Sequence, residues 1–429
     1  MKVAAIFTFL SCVGCWRPIS WTSPLKVTLY NVYMYSLIFL SFAFLVSQIG
    51  SLLTVDNVDE FVDSTYMLIT IFAGCCKITN LLLYRKEIIE LTNVFLTEPC
   101  AASNIQEAQI QLTYDNQVRL VTIVQKVVST VLQQHLFHRK NSLPYITLVQ
   151  VTTFVMFINS FRTNFQEDRL TFRGWIPYNY TSEVAFPLTF VVQILSVYMQ
   201  SLLHLGTDIL FFAMLTQICC QFEILLSRLN DVTANSRSAL RRFVRHHECI
   251  YQLAKRINDT MQLTFFSQLF GSSLVLCLSL AQLINTEIRS AEFLAFISYT
   301  SAMLMQSFLY CWHGNEVKLK SIDMIDTIFH VDWTELNEDS KMILLIAMTR
   351  TRSPIELQSA HVITVNIDFF VIVAGQVLLF GVQPSTKLSR IVGHDWNTFV
   401  PVFAYYRSAY TLLNKYYWNV HSTIVLTLK

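Results

Sequence analysis

This sequence is short of charge. Only 14% of its 429 residues are Asp, Glu, Lys or Arg, against 53% hydrophobic, and the mean hydropathy is +0.44. A soluble domain carries about 25% charged residues, and water cannot solvate so much apolar surface. The 31 Lys and Arg nearly cancel the 29 Asp and Glu. The net charge of +2 gives no basic field, so nucleic acid is not an expected partner. Catalytic signatures are missing too: there is no H-E-x-x-H, no phosphate-binding glycine loop and no G-x-S-x-G. No enzyme is expected. The ten cysteines build no disulfide framework, because Cys75, Cys76, Cys219, Cys220, Cys277 and Cys311 fall in or beside apolar runs. Cys12 and Cys15 have C-x-x-C spacing, but no second pair follows. A structural zinc needs four ligands, so no metal site is expected.

What the chain does have is long apolar runs. About 20 apolar residues in a helix cross the roughly 30 Å of bilayer hydrocarbon. Seven runs meet that length, at about 30–53, 64–84, 143–161, 184–222, 261–284, 293–312 and 355–380. The second carries one charge, Lys77, and the long fourth carries one, Asp208. The expected fold is all-α, a seven-transmembrane helical bundle forming one membrane domain over 1–429. Residues 3–15 follow Lys2 as a short apolar run that overlaps the pattern of a signal peptide. Trp16, Arg17, Pro18 and Trp21 suit headgroup level, so this run is expected to be an interfacial segment.

Orientation follows from Lys and Arg, which stay on the cytoplasmic side in short loops. The segment after the fourth span holds Arg228, Arg237, Arg241, Arg242, Arg245, Lys255 and Arg256. The loops that fall outside hold only Arg162, Arg169, Arg173 and Arg289. The topology is therefore inverted, with the N-terminus cytoplasmic and the C-terminus extracellular. The sequon Asn179-Tyr180-Thr181 falls in an external loop, where Asn179 is a glycosylation candidate. A second sequon, Asn258-Asp259-Thr260, falls on the cytoplasmic side. Arg241, Arg242, Arg245, His246 and His247 read as a solvated surface facing headgroups. A G-protein-coupled receptor has the opposite orientation, and this sequence also lacks N-P-x-x-Y and cysteine in the loops outside. Glu167-Asp168-Arg169 reads as a solvated loop. A secondary transporter would show internal repeats, and none is found.

The stretch 298–310, leading into Cys311-Trp312-His313-Gly314-Asn315-Glu316, resembles the sixth-helix exit of the insect odorant receptors. Asp332-Trp333, Met348-Thr349-Arg350, Pro354-Ile355-Glu356-Leu357 and Ala360 continue in that family's order. Arg407-Ser408-Ala409-Tyr410-Thr411-Leu412-Leu413 resembles its terminal motif. Gly14-Cys15-Trp16-Arg17-Pro18, Tyr114-Asp115, Asn164-Phe165-Gln166-Glu167, Trp175 and Pro177-Tyr178 match further landmarks. The resemblance implies a plasma-membrane, multi-pass subunit of a tetrameric, non-selective cation channel, opened by a small volatile or lipidic ligand and needing no cofactor. It also implies pairing with the odorant receptor co-receptor. The loop at about 226–260 is short where the co-receptor's is long, so the chain resembles a tuning subunit in contact with membrane lipid. A gustatory receptor channel shares this architecture but ends in a seventh-helix signature that is missing here.

By resemblance the ligand pocket is lined by Tyr66, Met67 and Thr70; Phe154, Phe157 and Phe161; Gln193, Val197 and Tyr198; and Phe296, Tyr299 and Met303. Such a pocket works mainly through apolar burial, with a few polar groups to orient the ligand. Tyr198 and Tyr299 are the stronger candidates, since a hydroxyl at that depth wants a partner. Val365 and Phe369 stand at the family's gate positions, four residues apart and on one face if helical. Asp368 and His361 are ionisable groups in the same span. Asp368 fits either attraction of cations near the pore or a bond to a neighbouring helix. Lys77 and Asp208 are expected to be structural.

Two segments depart from the family. Residues 124–144 carry Gln133, Gln134, His135, His138, Arg139 and Lys140 where hydrophobic helix is expected. Residues 374–406 separate the gate from the terminal motif and include Gly375, Gly381, Pro384, Gly393 and Pro401, which break helices. Both are expected to be translated intron sequence.

Overall fold

In lipid, each backbone N–H and C=O must be satisfied within its own segment, so uninterrupted apolar runs become helices. The computed structural model describes residues 4–18, 21–54, 58–127, 143–230, 237–285, 291–359 and 363–382. Their helices are α1 (Ala4–Cys12), α2 (Pro24–Leu52), α3 (Val58–Leu83), α4 (Arg85–Val94), α5 (Ile105–Val127), α6 (Leu143–Arg162), α7 (Ala185–Asn230), α8 (Arg237–Asn285), α9 (Ala291–Phe329), α10 (Glu338–Thr351) and α11 (Ile367–Val382). Before α11 lies a hairpin of β1 (Gln358–Ser359) and β2 (Ile363–Thr364), antiparallel, with Gln358 opposite Thr364.

Five of these helices, α2, α3, α7, α8 and α9, are long and apolar enough to cross a membrane. Helices α6 and α11 complete the seven-helix bundle. At 1.5 Å per residue, α7, α8 and α9 run about 58–74 Å, far beyond hydrocarbon thickness. Helix α7 is the axis of the bundle, 83% buried over its most apolar stretch, while α2 is only 17% buried and turns Leu29, Val32, Phe39 and Val46 outward. An apolar exposed face of that kind suits lipid, not water.

The two ends of the bundle differ in charge. At one end, buried Arg228 donates to Glu107 at 2.9 Å and to the Pro99 and Ala101 carbonyls. Arg256 meets Glu87 and Glu90, Lys318 meets Glu356, and Lys320 meets Glu223. Burial alone would push the Glu107 carboxyl up, but the Arg228 guanidinium and the Ser103 N–H hold it below the usual carboxylate range. At the other end the loop after α6 folds back on α2. Gln48 donates to the Arg173 carbonyl at 2.9 Å, and the Trp175 N–H donates to the Ser47 carbonyl at 2.9 Å. Arg228, Arg256, Lys318 and Lys320 thus lie at the end opposite the α6–α7 loop, which follows Arg162 and carries Arg169 and Arg173.

Several boundaries differ from the sequence reading. The first span, 30–53, begins at Pro24, whose fixed φ suits a first helical turn. The spans 261–284 and 293–312 are parts of the much longer α8 and α9, because amphipathic cytoplasmic turns continue both helices. The last span, 355–380, is corrected more strongly. Residues 354–357 belong to no helix, β1 and β2 follow, and the helix starts only at Ile367, with the Phe369 N–H donating to the Asn366 side chain at 2.9 Å. Pro354 and the β-branched Ile363, Thr364 and Val365 favour extended backbone there. Val365 is therefore outside the helix, and the one-face argument pairing it with Phe369 fails.

The N-terminal run packs into the bundle. Ile6, Leu10, Val13, Cys15 and Trp16 are buried, and α1 packs on α7 where Gly206 leaves room for Phe9 and Leu10. His246 and His247 are likewise buried, His246 bonding to Gln221 at 2.8 Å, while Arg241, Arg242 and Arg245 face outward. Residues 124–127 close α5, and α11 runs through Gly375 and Gly381 without a break. Residues 128–142, His361, 383–406 and the terminal motif at 407–413 lie outside the described residues.

Candidate ligand-binding site

Four helices each offer one stripe at helical spacing to a common space. Helix α3 contributes Met67, Thr70 and Ile71, α7 contributes Val197, Gln200, Ser201 and His204, and α9 contributes Tyr299, Ala302, Met303 and Gln306. Helix α6 adds Val149, Thr152, Thr153, Met156 and Phe157. They enclose an inner cavity of about 120 Å³. An outer cavity of about 360 Å³ lies toward the α6–α7 loop, lined by Tyr66, Asn159, Ser160, Arg173 and Phe296 among others. Met67, Met156, Phe172 and Tyr299 border both spaces.

The rings at this border are ordered by one another. Tyr66 lies 5.7 Å from Tyr299 and 5.9 Å from Phe296 between ring centroids. The Tyr299 hydroxyl is 2.6 Å from the Thr70 hydroxyl, which itself donates to the Tyr66 carbonyl. Thr70 has one hydrogen, so Tyr299 is the donor in that pair.

Beneath the inner cavity sits a charged cluster. Lys77 and Asp208, both fully buried, are 2.5 Å apart. Tyr145 at 2.8 Å, Gln306 at 2.6 Å and Tyr310 at 2.6 Å also donate to Asp208. Gln306 in turn accepts from Gln268 at 2.7 Å. Removing ions from water costs several kcal/mol each, which only close pairing and further hydrogen bonds offset; this cluster supplies both. Tyr145 and Gln306 therefore belong at once to the cavity wall and to the ion pair.

Tyr66, Met67, Thr70, Phe157, Val197, Phe296, Tyr299 and Met303 all border one cavity or the other. Four candidates do not. Phe154 and Phe161 are 65% and 49% exposed, and the Phe161 ring lies 5.2 Å from that of buried Phe190. Tyr198 lies at the rim with its ring 6.2 Å from Phe157. Gln193 is buried, but its amide holds the Phe172 N–H at 3.1 Å and carbonyl at 2.7 Å, so it clamps the loop. Gln200, Ser201 and His204 went unnoticed in the sequence, although they continue the Val197 stripe at i+3, i+4 and i+7. In α11, Asp368 is exposed and Phe369 half-buried, whereas Val365 is buried with its carbonyl against Gly314. Asn179 is exposed, its side chain accepting from the Thr181 hydroxyl at 2.7 Å.

The family model described as 7tm Odorant receptor matches residues 57–376. Odorant receptor 46a, isoform A, of Drosophila melanogaster is 24% identical over 188 residues, 42% of this chain and 49% of its own length. The odorant receptor coreceptor of Anopheles gambiae is 25% identical over 144 residues, 34% of this chain and 30% of its own. The chain thus spans about half the length, or less, of these curated relatives. The olfactory receptor OR5 of Machilis hrabei in complex with eugenol has a TM-score of 0.73 at 14% identity, covering 89% of this chain and 96% of that one. At that identity the likeness speaks for the fold. The family match runs from the start of α3 into α11, across every helix that borders the cavities, and this chain belongs to the insect odorant receptor family.

Proposed function

We propose that this chain is the odorant-binding tuning subunit of a heteromeric, ligand-gated, non-selective cation channel in the plasma membrane of olfactory sensory neurons. Its partner is the odorant receptor co-receptor, to which it is itself related. The ligand, a small volatile or lipidic molecule, occupies the space bordered by Met67, Phe157, Tyr299 and Met303. The observation that carries this reading is a shared packing cluster. Met303 and Tyr299 of the cavity wall pack with Val275, Leu276, Val373 and Phe369. A ligand that shifts Tyr299 or Met303 thereby disturbs α11 directly, and packed interfaces respond to small shifts by switching rather than by stretching. In this reading α11 lines the pore, Phe369 narrows it, Asp368 attracts cations, and buried Val365 anchors the start of the helix instead of gating. Asn179 carries the glycan outside.

The test is co-expression with the co-receptor and recording of odour-evoked currents without added GTP. Currents that appear only with the co-receptor and persist without GTP support the channel subunit. Currents that require GTP sink it.

A further inference from the structure

Two cysteines far apart in sequence meet at the end of the bundle that carries the buried Arg228 and its ion pair. Cys100 lies in the turn between α4 and α5, and Cys249 lies on α8. They are 149 positions apart, and their sulfurs stand 3.6 Å from each other. The turn is held there from both sides. The Cys100 N–H donates to the Thr97 carbonyl at 2.9 Å, and Arg228 of α7 donates to the carbonyls of Pro99 and Ala101, the two neighbours of Cys100. Arg228 is fixed in turn by Glu107.

The two thiols differ in access. Cys100 is fully buried, whereas Cys249 is only partly buried, and the residue before it, Glu248, meets Arg350 at the surface. A small oxidant therefore reaches Cys249 first. A disulfide needs its sulfurs about 2.05 Å apart, so this pair has to close by about 1.5 Å. Cys100 sits in a turn, where the backbone can follow its side chain without breaking a helix.

We propose that Cys100 and Cys249 are an oxidation site: a peroxide joins them in a reversible disulfide that clamps the α4–α5 turn to α8. The Cys249 thiol releases its proton, and the thiolate, which is the reactive form, attacks one oxygen of hydrogen peroxide. The O–O bond breaks, and the departing hydroxide takes up that proton as water, leaving a sulfenic acid on Cys249. Cys100 then gives up its proton and its sulfur attacks Cys249 Sγ. The S–O bond breaks, and the second hydroxide leaves with the Cys100 proton as water. Two thiols have lost two electrons and one peroxide has gained them. A reducing thiol reverses the bond by exchange, so the dithiol is the resting state on a reducing cytoplasmic side. Farther along α8, Val275 and Leu276 pack with Val373 of α11, so the clamp acts on a helix that touches α11.

The experiment treats membranes holding the full chain and the co-receptor with hydrogen peroxide, blocks the remaining thiols, and digests with trypsin without reductant. Cleavage after Lys and Arg leaves Cys100 as the only cysteine of peptide 87–119 and Cys249 as the only cysteine of peptide 246–255. Mass spectrometry should find the two joined, with loss of both free forms, and dithiothreitol should restore them. In Cys100→Ser, Cys249 should stop at the sulfenic acid and be trapped by dimedone. In Cys249→Ser, Cys100 should stay a thiol. Peptides that remain free in the wild type, or Cys249 joined to glutathione or to another cysteine, overturn the proposal, and this arm needs no variant to fold. The joined form of the purified full chain should also unfold at a midpoint about 2–5 °C higher, a shift that reductant abolishes. An unchanged midpoint in fully joined protein overturns the clamp.

Discussion

Lys77 and Asp208 were visible in the sequence as lone charges in otherwise apolar spans, 131 positions apart. An ionisable group in a membrane needs a partner, so their pairing was within reach of the sequence. Their shared partners were not, because nothing local marks Tyr145, Gln306 and Tyr310 as converging on one carboxylate. Replacing Asp208 by Ala leaves Lys77 buried and unpaired, which costs about 3–5 kcal/mol. Thermal unfolding of the purified protein in detergent should show the corresponding loss. The double variant Lys77→Met with Asp208→Leu should recover most of it, since apolar replacement of a buried pair is often neutral. Recovery would show that the cluster serves shape; continued loss of odour-evoked current despite recovery would tie it to activation. A second residue-scale prediction concerns Gly74. Gly74→Ala should push Gln200 and His204 from their places and weaken ligand responses at unchanged surface expression, measured as a right-shifted dose–response curve.

At the scale of elements, the stripes were legible and their outward or inward sense only partly so. The resemblance names Tyr66, Met67 and Thr70 on α3 and Phe296, Tyr299 and Met303 on α9, and both sets border the cavities. On α6 the resemblance names Phe154, Phe157 and Phe161, of which only Phe157 lines a cavity. Lipid tails are as apolar as a protein core, so an aromatic stripe in a membrane helix does not announce which side it faces. The start of α11 was hidden for a different reason. The run Ile363-Thr364-Val365-Asn366-Ile367 is apolar enough for a span, and two-residue strands leave no periodicity to detect. Asn366 caps the helix through its side chain, so Asn366→Ala should cost about 0.5–2 kcal/mol. Hydrogen exchange should then quicken at the first turn of α11 while α9 keeps its protection. Uniform quickening across both helices would argue that the hairpin, not the cap, sets where α11 begins.

At the scale of the whole molecule, the bundle is well accounted for up to the place where α11 leaves the described residues. The family match stops at 376, the resemblance resumes at Arg407, and the stretch between them holds Pro384 and Pro401. A pore helix has to cross the hydrocarbon with its backbone groups satisfied, and proline removes a donor and clashes with the preceding turn. We propose, accordingly, that 374–406 is translated intron sequence and that the conducting form joins Val373 to Arg407. Transcripts from olfactory tissue should then lack the codons for 374–406. With the co-receptor, the shortened chain should give odour-evoked currents at least about tenfold larger than the full chain at equal surface expression, about 1.4 kcal/mol in the equilibrium that controls opening. Abundant full-length transcript together with equal currents from both forms would show instead that α11 continues into a structure peculiar to this receptor.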